Sequence, residues 1–245
     1  MTGALVAVFL GTAGLVVYGL FAWERIVHRR RTAEASGWGA TPQARAARPD
    51  ATPDLPRPFG ADTAWLAVRT RDTAAVAQQL ALRTMLPANW RAGLDEVRER
   101  GVFVTPAVDG WVFAVGHDLL AADGDDAALV APLLERLSRT FGGAAWFAAD
   151  RDAERFGWAL ALGGELQRGY AFAGEHGEVW SSGAVTPAEH AAGCFVDDPR
   201  DQSDDAVKWW PDLAIVQRLA TAWSLDPSRL DERTGAPGCG VVGRR

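Results

Sequence analysis

The sequence predicts an α+β domain with a mostly antiparallel sheet and packing helices, preceded by one transmembrane helix. Two hairpin patterns indicate the antiparallel sheet, one within Gly101–Gly116 and one within Phe156–Ala173. Apolar residues at helical spacing cluster between and after these hairpins, a grouping that is typical of α+β domains. A run of twenty uncharged residues, Ala4–Trp23, indicates the membrane segment.

The run Ala4–Trp23 is long enough to cross a bilayer, because twenty helical residues span about 30 Å of hydrocarbon. A cleaved secretory signal would need a basic region before the apolar run and a small-residue cleavage site after it, and the sequence has neither. Basic residues follow the run instead, and the arginines among them are Arg25, Arg29, Arg30 and Arg31. Because positive charge is retained on the cytoplasmic side, we expect a single-pass protein of the cell membrane whose globular part is cytoplasmic. The same arginines can contact the anionic headgroups of the lipid bilayer.

The chain divides into four parts by composition. Residues 1–24 hold the transmembrane anchor, and residues 25–61 form a linker that is basic at first and then rich in proline and alanine. This composition disfavours both a helix and a packed core, so the linker is expected to be flexible. Residues 62–230 carry the periodic apolar segments and form the predicted globular α+β domain. Residues 231–245 hold several glycines and prolines, which predict a flexible tail.

The globular domain begins with a predicted strand, Ala64–Arg69, and a helix over Thr73–Leu82. Pro87 interrupts the helical pattern, and Asn89 stands where it can cap the next helix, which is predicted over Trp90–Arg100. Apolar residues in that helix recur at intervals of three and four residues. We therefore expect it to bury one face against the sheet.

The hairpin of Gly101–Gly116 is the centre of the predicted sheet. Its arms, Val102–Thr105 and Trp111–Val115, are apolar at nearly every position, and Asp109-Gly110 lies between them. Asp-Gly between β-branched and aromatic residues favours a tight turn, because glycine adopts a positive φ without strain. Arms that are apolar on both sides predict a hairpin that is covered on both faces.

The longest helical pattern, Ala127–Phe141, contains Pro132. Because proline is tolerated in the first turn of a helix and not in its interior, this helix is expected to begin at Val130 or Ala131, and Gly142 is expected to end it. The remaining predicted elements are the strands Ala144–Ala149, Phe156–Leu162, Gln167–Ala173 and Glu178–Ser181, a helix capped by Thr186 and Glu189, and a final helix over Pro211–Trp223.

The acidity of the globular part bears on what it binds. The whole chain has a formal net charge of −6, while residues 61–245 carry 18 basic and 27 acidic side chains. Binding of nucleic acid by charge alone needs cations that displace phosphate counterions, so nucleic acid is not an expected partner. An acidic surface favours encounter with a basic protein, and we expect the partner to be of that kind.

Motifs for cofactors, metals and nucleophilic catalysis are missing from the sequence. It contains no P-loop, no GxSxG elbow and no glycine-rich dinucleotide loop before a helix. Cys194 and Cys239 do not lie in a CxxC pair, which disfavours a zinc site, and they could form a disulfide only if the domain lay outside the cytoplasm. The four histidines are not spaced to converge with acids. We therefore expect a non-enzymatic domain without a cofactor or a metal.

The alternative prediction is that the domain is an enzyme or binds a small ligand. His117 and Asp118 follow the central hairpin, where an imidazole and a carboxylate could act together if a neighbouring acid lined the same pocket. Solvated turn residues explain the same pattern without any such role. The alternative requires the two side chains to converge on a deep cleft, and their dispersal over the surface would exclude it.

Eleven tryptophans are a high number for a chain of 245 residues, and most are expected to lie in the core. Four of them are candidate anchors of a protein-binding surface: Trp90, Trp180, Trp209 and Trp210. Trp209 and Trp210 precede the helix that begins near Pro211, and two adjacent side chains cannot easily share one buried face. We expect one of the two to pack against the domain and the other to be exposed.

Three segments resemble a family of uncharacterised bacterial proteins that has no assigned activity. They are Asn89-Trp90-Arg91-x-Gly93, Phe103-Val104-Thr105-Pro106-x-x-Asp109-Gly110-Trp111 and Ala222-Trp223-Ser224-Leu225-Asp226-Pro227. The resemblance covers about residues 62–230 and implies a shared fold but no catalytic residues. In composition, the small, acidic, tryptophan-rich domain is also similar to polymorphic-toxin immunity proteins. The predicted function is therefore that of a membrane-anchored cytoplasmic domain that binds another protein, in an immunity-like or scaffolding role.

Overall fold

One antiparallel sheet organises the part of the chain that the structure describes. The computed structural model describes residues 48–98, 101–116, 119, 129–195, 209–232 and 236–245. The strands in these ranges are Thr63–Val68 (β1), Arg83–Asn89 (β2), Val102–Val104 (β3), Val112–Val115 (β4), Gly143–Asp150 (β5), Arg155–Leu162 (β6), Glu165–Ala173 (β7), Glu178–Ser182 (β8) and Cys239–Arg244 (β9). The helices are Thr73–Gln79 (α1), Trp90–Glu96 (α2), Val130–Phe141 (α3), Pro187–Ala192 (α4) and Leu213–Trp223 (α5), with 3₁₀ helices at Gly174–His176 and Pro227–Glu232.

The order of the strands confirms the predicted α+β domain with an antiparallel sheet. The sheet runs β2-β9-β3-β4-β1-β5-β6-β7-β8, and every neighbouring pair is antiparallel. Both predicted hairpins are present, since β3 pairs with β4 and β6 pairs with β7. The domain is therefore α+β, with an antiparallel sheet and packing helices.

Helices cover the sheet on both faces. On β4, Phe113 and Val115 belong to the core that packs α2, α4 and α5, while Val112 and Ala114 belong to the core that packs α1 and α3. This alternation follows from the two-residue period of a strand. All residues of β3 and β4 are buried, which confirms that the central hairpin is covered on both faces. We call the two sides of the sheet the α2 face and the α3 face.

Several predicted helix ends agree with the structure because they depend on local hydrogen bonds, although α1 ends at Gln79 and α2 at Glu96, earlier than predicted, and α5 begins at Leu213 rather than Pro211. Oδ1 of Asn89 accepts from the N–H of Ala92 at 2.9 Å and caps α2. Thr186 and Glu189 form the predicted capping box of α4. The helix α3 begins at Val130 and ends before Gly142, whose φ of 85° suits a glycine at that position.

The C-terminal end of the chain differs from its prediction. The sequence predicts a flexible tail over residues 231–245, but Cys239–Arg244 form β9 between β2 and β3. Val242 of this strand lies opposite Leu86 on one side and Phe103 on the other. Glycine is needed at Gly240, because a Cβ atom there would lie 2.8 Å from the Phe103 ring and would collide with a backbone carbonyl of β3. The glycines that suggested a loose tail thus allow a close-packed strand.

The strand β2 is absent from the prediction, because Pro87 indicated a break between two helices. In the structure β2 lies at the edge of the sheet. Proline is tolerated there because the backbone N–H groups on the outer side of an edge strand make no hydrogen bonds within the sheet. Its register also shifts between Arg83 and Leu86, and Thr84 has a φ of 50°. Proline and an irregular register make this edge a poor template for pairing with another chain.

The second half of the predicted linker belongs to the folded unit, which begins at Arg48. The carboxylate of Asp54 accepts hydrogen bonds from the backbone N–H groups of Trp90 (2.7 Å) and Arg91 (3.2 Å) at the start of α2. The N–H of Phe59 donates to the carbonyl oxygen of Pro227 at 3.1 Å. Prolines exclude helix from this segment, but they do not prevent it from packing along the domain.

The membrane prediction concerns a different part of the chain. None of the helices in the described ranges is long and apolar enough to cross a membrane. The predicted span, Ala4–Trp23, and the arginines that follow it lie outside those ranges, as does the predicted boundary between anchor and linker.

Candidate functional site

Trp90 is a core residue rather than a surface residue. Its side chain has no exposed area, and it packs edge-to-face on Phe103 with ring centroids 6.0 Å apart. It belongs to the core of the α2 face. This corrects the prediction that Trp90 anchors a binding surface, because a ring that is already buried has no area left to offer a partner.

Trp180 lies half-buried on the α3 face, on the opposite side of the sheet from Trp209. Its ring covers Gly169 on the neighbouring strand, where a Cβ atom would collide with it. Trp180 therefore fills a space that a glycine leaves open. The four candidate tryptophans do not form one surface, since they are distributed over the core and over both faces of the sheet.

Trp209 and Trp210 separate as expected, one packed and one exposed. Trp209 is half-buried on the α2 face. Its ring contacts three others, at centroid distances of 4.7 Å (Phe195), 5.9 Å (Tyr170) and 6.2 Å (Trp158). Trp210 is 46% exposed, and its ring contacts Phe172 edge-to-face at 4.7 Å. An exposed tryptophan that packs on a buried ring loses little further freedom when a partner binds it.

A buried ion pair lies beside this aromatic cluster. Nε of Arg168 on β7 donates to Oε1 of Glu189 on α4 at 2.8 Å, and the two side chains are 2% and 0% exposed. The same oxygen accepts from Nε1 of Trp158 at 2.8 Å. Oε2 of Glu189 accepts from the N–H of Thr186 at 2.7 Å and from its hydroxyl at 2.9 Å. Both oxygens of the carboxylate are thus hydrogen-bonded, as the burial of a charge requires.

The guanidinium of Arg168 also holds the edge strand β8 in place. Its Nη1 donates to three acceptors on and just after that strand, the hydroxyl of Ser181 (3.1 Å) and the carbonyl oxygens of Ser182 (3.1 Å) and Gly183 (3.3 Å). The ion pair therefore connects β7, β8 and α4, and its role is structural. Sequence reasoning identified Glu189 as a capping residue and missed Arg168, because an arginine in a strand near the sheet edge gives no local sign of burial.

Cys194 lies near this network, but it does not have the properties of a nucleophile. Its side chain is fully buried, and burial, with a smaller contribution from the nearby carboxylate of Glu189, raises the pKa of the thiol to about 12. The thiolate is the reactive form, so Cys194 is unreactive at neutral pH. Cys194 and Cys239 are both free thiols, and Sγ of Cys239 donates to the carbonyl oxygen of Ala51 at 2.9 Å.

A cleft of about 510 Å³ opens elsewhere on the α2 face. Its walls come from residues 58–63 at the start of β1, from α2 and the turn after it, from the end of β4, from α5 and from the 3₁₀ helix Pro227–Glu232. Apolar walls are provided by Phe59, Leu94, Val97 and Val115, and polar groups by Asp62, Arg98, Gln217 and Ser228. Small-molecule sites in proteins have volumes of about 300–1,000 Å³, so the cleft is large enough to be one.

The residues of the alternative site, His117 and Asp118, lie outside the described residues. Val115, the last residue of β4, lines the cleft. Within the part of the chain that the structure describes, no three His, Cys, Asp or Glu side chains lie close enough together to hold a metal ion. The described geometry therefore offers an aromatic surface at Trp210 and a cleft at the end of β4.

Comparisons of the chain with protein-family models, with curated proteins and with solved structures found no match. The function of the chain is therefore inferred from its own sequence and geometry.

Proposed function

We propose that the domain binds another protein and that Trp210 is central to the contact surface. The observation that carries this proposal is the 46% exposure of a tryptophan whose ring is oriented by the buried Phe172. Tryptophans with a fixed orientation are typical of the few residues that dominate the binding energy of protein interfaces. An immunity-like protein and a scaffold would both use such a surface.

The acidic composition of this part of the chain favours a basic partner. Residues 197–205, which lie outside the described residues, contain five aspartates and one arginine. Glu178 is exposed and lies opposite Phe172 in the β7–β8 ladder, and Phe172 is the ring on which Trp210 packs. Acidic groups beside an aromatic anchor attract a surface rich in lysine and arginine and increase the rate of association.

Replacing Trp210 by alanine is expected to weaken binding of the partner about 30-fold, because truncating a central aromatic anchor costs about 2 kcal/mol. A photo-crosslinking amino acid at position 178, an exposed neighbour that leaves Trp210 in place, captures the partner of the full chain in cells. The captured protein is then purified, and its dissociation constant is measured with the wild-type chain and with the Trp210→Ala variant.

The matched control for this experiment is Leu162→Ala. Leu162 is 47% exposed, nearly the same as Trp210, and it lies at the end of β6 next to the β6–β7 turn. We expect the control to change the dissociation constant less than twofold. Equal affinities for the wild-type chain and Trp210→Ala, or an equal loss in the control, would contradict the proposal. An association rate that does not fall with added salt would contradict a basic partner.

We also propose that residues 1–24 anchor the chain in the cell membrane and that the domain lies in the cytoplasm. The support is the uncharged run Ala4–Trp23 and the arginines that follow it. The chain is expected to stay in the membrane fraction after a high-salt wash, because a hydrophobic anchor is not released by screening charge. A reporter that is active only in the cytoplasm, fused after Arg245, is expected to be active. Recovery of the intact chain in the soluble fraction would refute the anchor, and an inactive reporter would refute the orientation.

A further inference from the structure

The apolar part of the cleft is held in place by the core beneath it. Phe59 contacts Trp65 and Phe113 edge-to-face, with ring centroids 6.2 Å and 5.6 Å away. Its backbone hydrogen bond to Pro227 ties the segment before β1 to the 3₁₀ helix that forms another wall. Val115 is 3% exposed and belongs to the same core. The cleft is thus largely preformed, and little ordering of side chains is needed when it is filled.

The negative charge at the cleft is already paired. Asp62 is the one acidic residue among the described residues that line it. Its carboxylate accepts three hydrogen bonds from Arg151, from the backbone N–H at 3.3 Å, from Nε at 3.2 Å and from Nη2 at 2.8 Å. The hydrogen bond from the Arg151 side chain holds the pKa of Asp62 below its usual value, so the pair persists at neutral pH. Asp62 therefore exerts little attraction on a cationic ligand.

The positive charge at the cleft is held much more loosely. Nε of Arg98 lies 3.6 Å from Oδ1 of Asp95, and the two side chains are 79% and 60% exposed. Exposed ion pairs of this kind contribute little to stability, so the guanidinium can turn toward a ligand at small cost. Gln217 on α5 adds an amide N–H₂ group that can also donate. Among the described residues that line the cleft, the donors that remain favour an anion.

We infer that the cleft binds a small carboxylate that carries an apolar body. The carboxylate contacts Arg98, whose planar guanidinium matches the two oxygens of one carboxylate. The apolar body lies against Phe59, Leu94 and Val115. This site is separate from the protein-binding surface at Trp210, and neither depends on the other.

The test uses the full chain in lipid nanodiscs and 3-phenylpropionate as the probe. Binding is measured by saturation-transfer difference NMR, with empty nanodiscs as the blank. We expect 3-phenylpropionate to bind, 3-phenylpropylamine to bind at least fivefold more weakly, and acetate, which lacks the apolar body, to give no signal. The Arg98→Gln variant is expected to weaken binding of 3-phenylpropionate about fivefold, since it removes the charge but keeps a polar side chain.

Two control variants test whether 3-phenylpropionate binds in the cleft rather than elsewhere on the surface. Arg91→Gln changes an exposed arginine of α2, the helix just before Arg98, outside the cleft, and Trp210→Ala changes the proposed protein-binding surface. Neither is expected to alter the affinity for 3-phenylpropionate. The inference fails if the wild-type chain does not bind 3-phenylpropionate, if the amine binds equally well, or if Arg98→Gln has the affinity of the wild type. Because Arg98 is exposed, its substitution leaves the fold intact, and an unchanged thermal melting curve checks this.

Discussion

A chain that ends at Ala236 is expected not to fold into a cooperative domain. Such a chain lacks β9, which lies between β2 and β3 and pairs with both. Its loss leaves the backbone groups of two strands without partners and removes Val242 from the core of the α2 face. The effect is measured by comparing the near-ultraviolet circular dichroism spectrum and the thermal unfolding transition of the shortened chain with those of the wild type.

The control for the truncation is a chain that lacks only Arg245, which lies after β9. We expect this variant to unfold at the temperature of the wild type. A cooperative transition in the chain that ends at Ala236, within a few degrees of the wild type, would show that β9 contributes little to the sheet. Gly240→Val is a second variant with an expected large loss of stability, because its side chain would meet the Phe103 ring and the backbone of β3.

Glu189→Ala is expected to lower the free energy of unfolding by about 3–5 kcal/mol, which is the usual cost of removing one partner of a buried ion pair. The substitution leaves the guanidinium of Arg168 buried without its counter-charge. It also removes the acceptor of the Trp158 indole N–H and of the Thr186 backbone N–H. Chemical denaturation of the wild type and the variant gives this difference, provided that the free energy of unfolding depends on denaturant concentration with the same slope in both.

Two further variants decide whether the loss arises from the unpaired charge. Glu178→Ala removes an exposed glutamate on β8, and we expect it to change the free energy of unfolding by less than about 0.5 kcal/mol. The double variant Arg168→Met with Glu189→Leu replaces the pair by apolar side chains, and we expect it to be more stable than Glu189→Ala alone. If the double variant is less stable than Glu189→Ala, packing and hydrogen bonds, rather than the buried charge, account for the loss.

Several elements could be predicted from the sequence because their causes are local. Asn89 caps α2, the capping box of Thr186 and Glu189 begins α4, and Gly142 ends α3. The Asp109-Gly110 pair likewise joins β3 to β4 in the predicted hairpin. Each of these depends on residues within a few positions of one another, so the pattern and the structure agree.

The burial of the aromatic residues, by contrast, could not be predicted from sequence spacing. Trp90 is the first residue of α2 and Trp210 lies shortly before α5, yet the first has no exposed surface and the second is 46% exposed. The difference arises from what packs on each ring, Phe103 of β3 in one case and Phe172 of β7 in the other, together with the rest of the core around Trp90. Sequence spacing does not contain that information.

The sequence by itself determined the α+β class of the domain, the central hairpin and the helix ends at Asn89, Gly142 and Thr186, because hydrophobic period and capping act over short distances along the chain. Only the tertiary structure decided that the C-terminal residues form an inner strand and that Arg168 and Glu189 pair inside the domain. It also decided that residues before and after the central hairpin form a cleft with a loosely held arginine. These features join segments that are far apart in the chain, and strand pairing, burial of charge and cavity shape depend on the groups that meet in space.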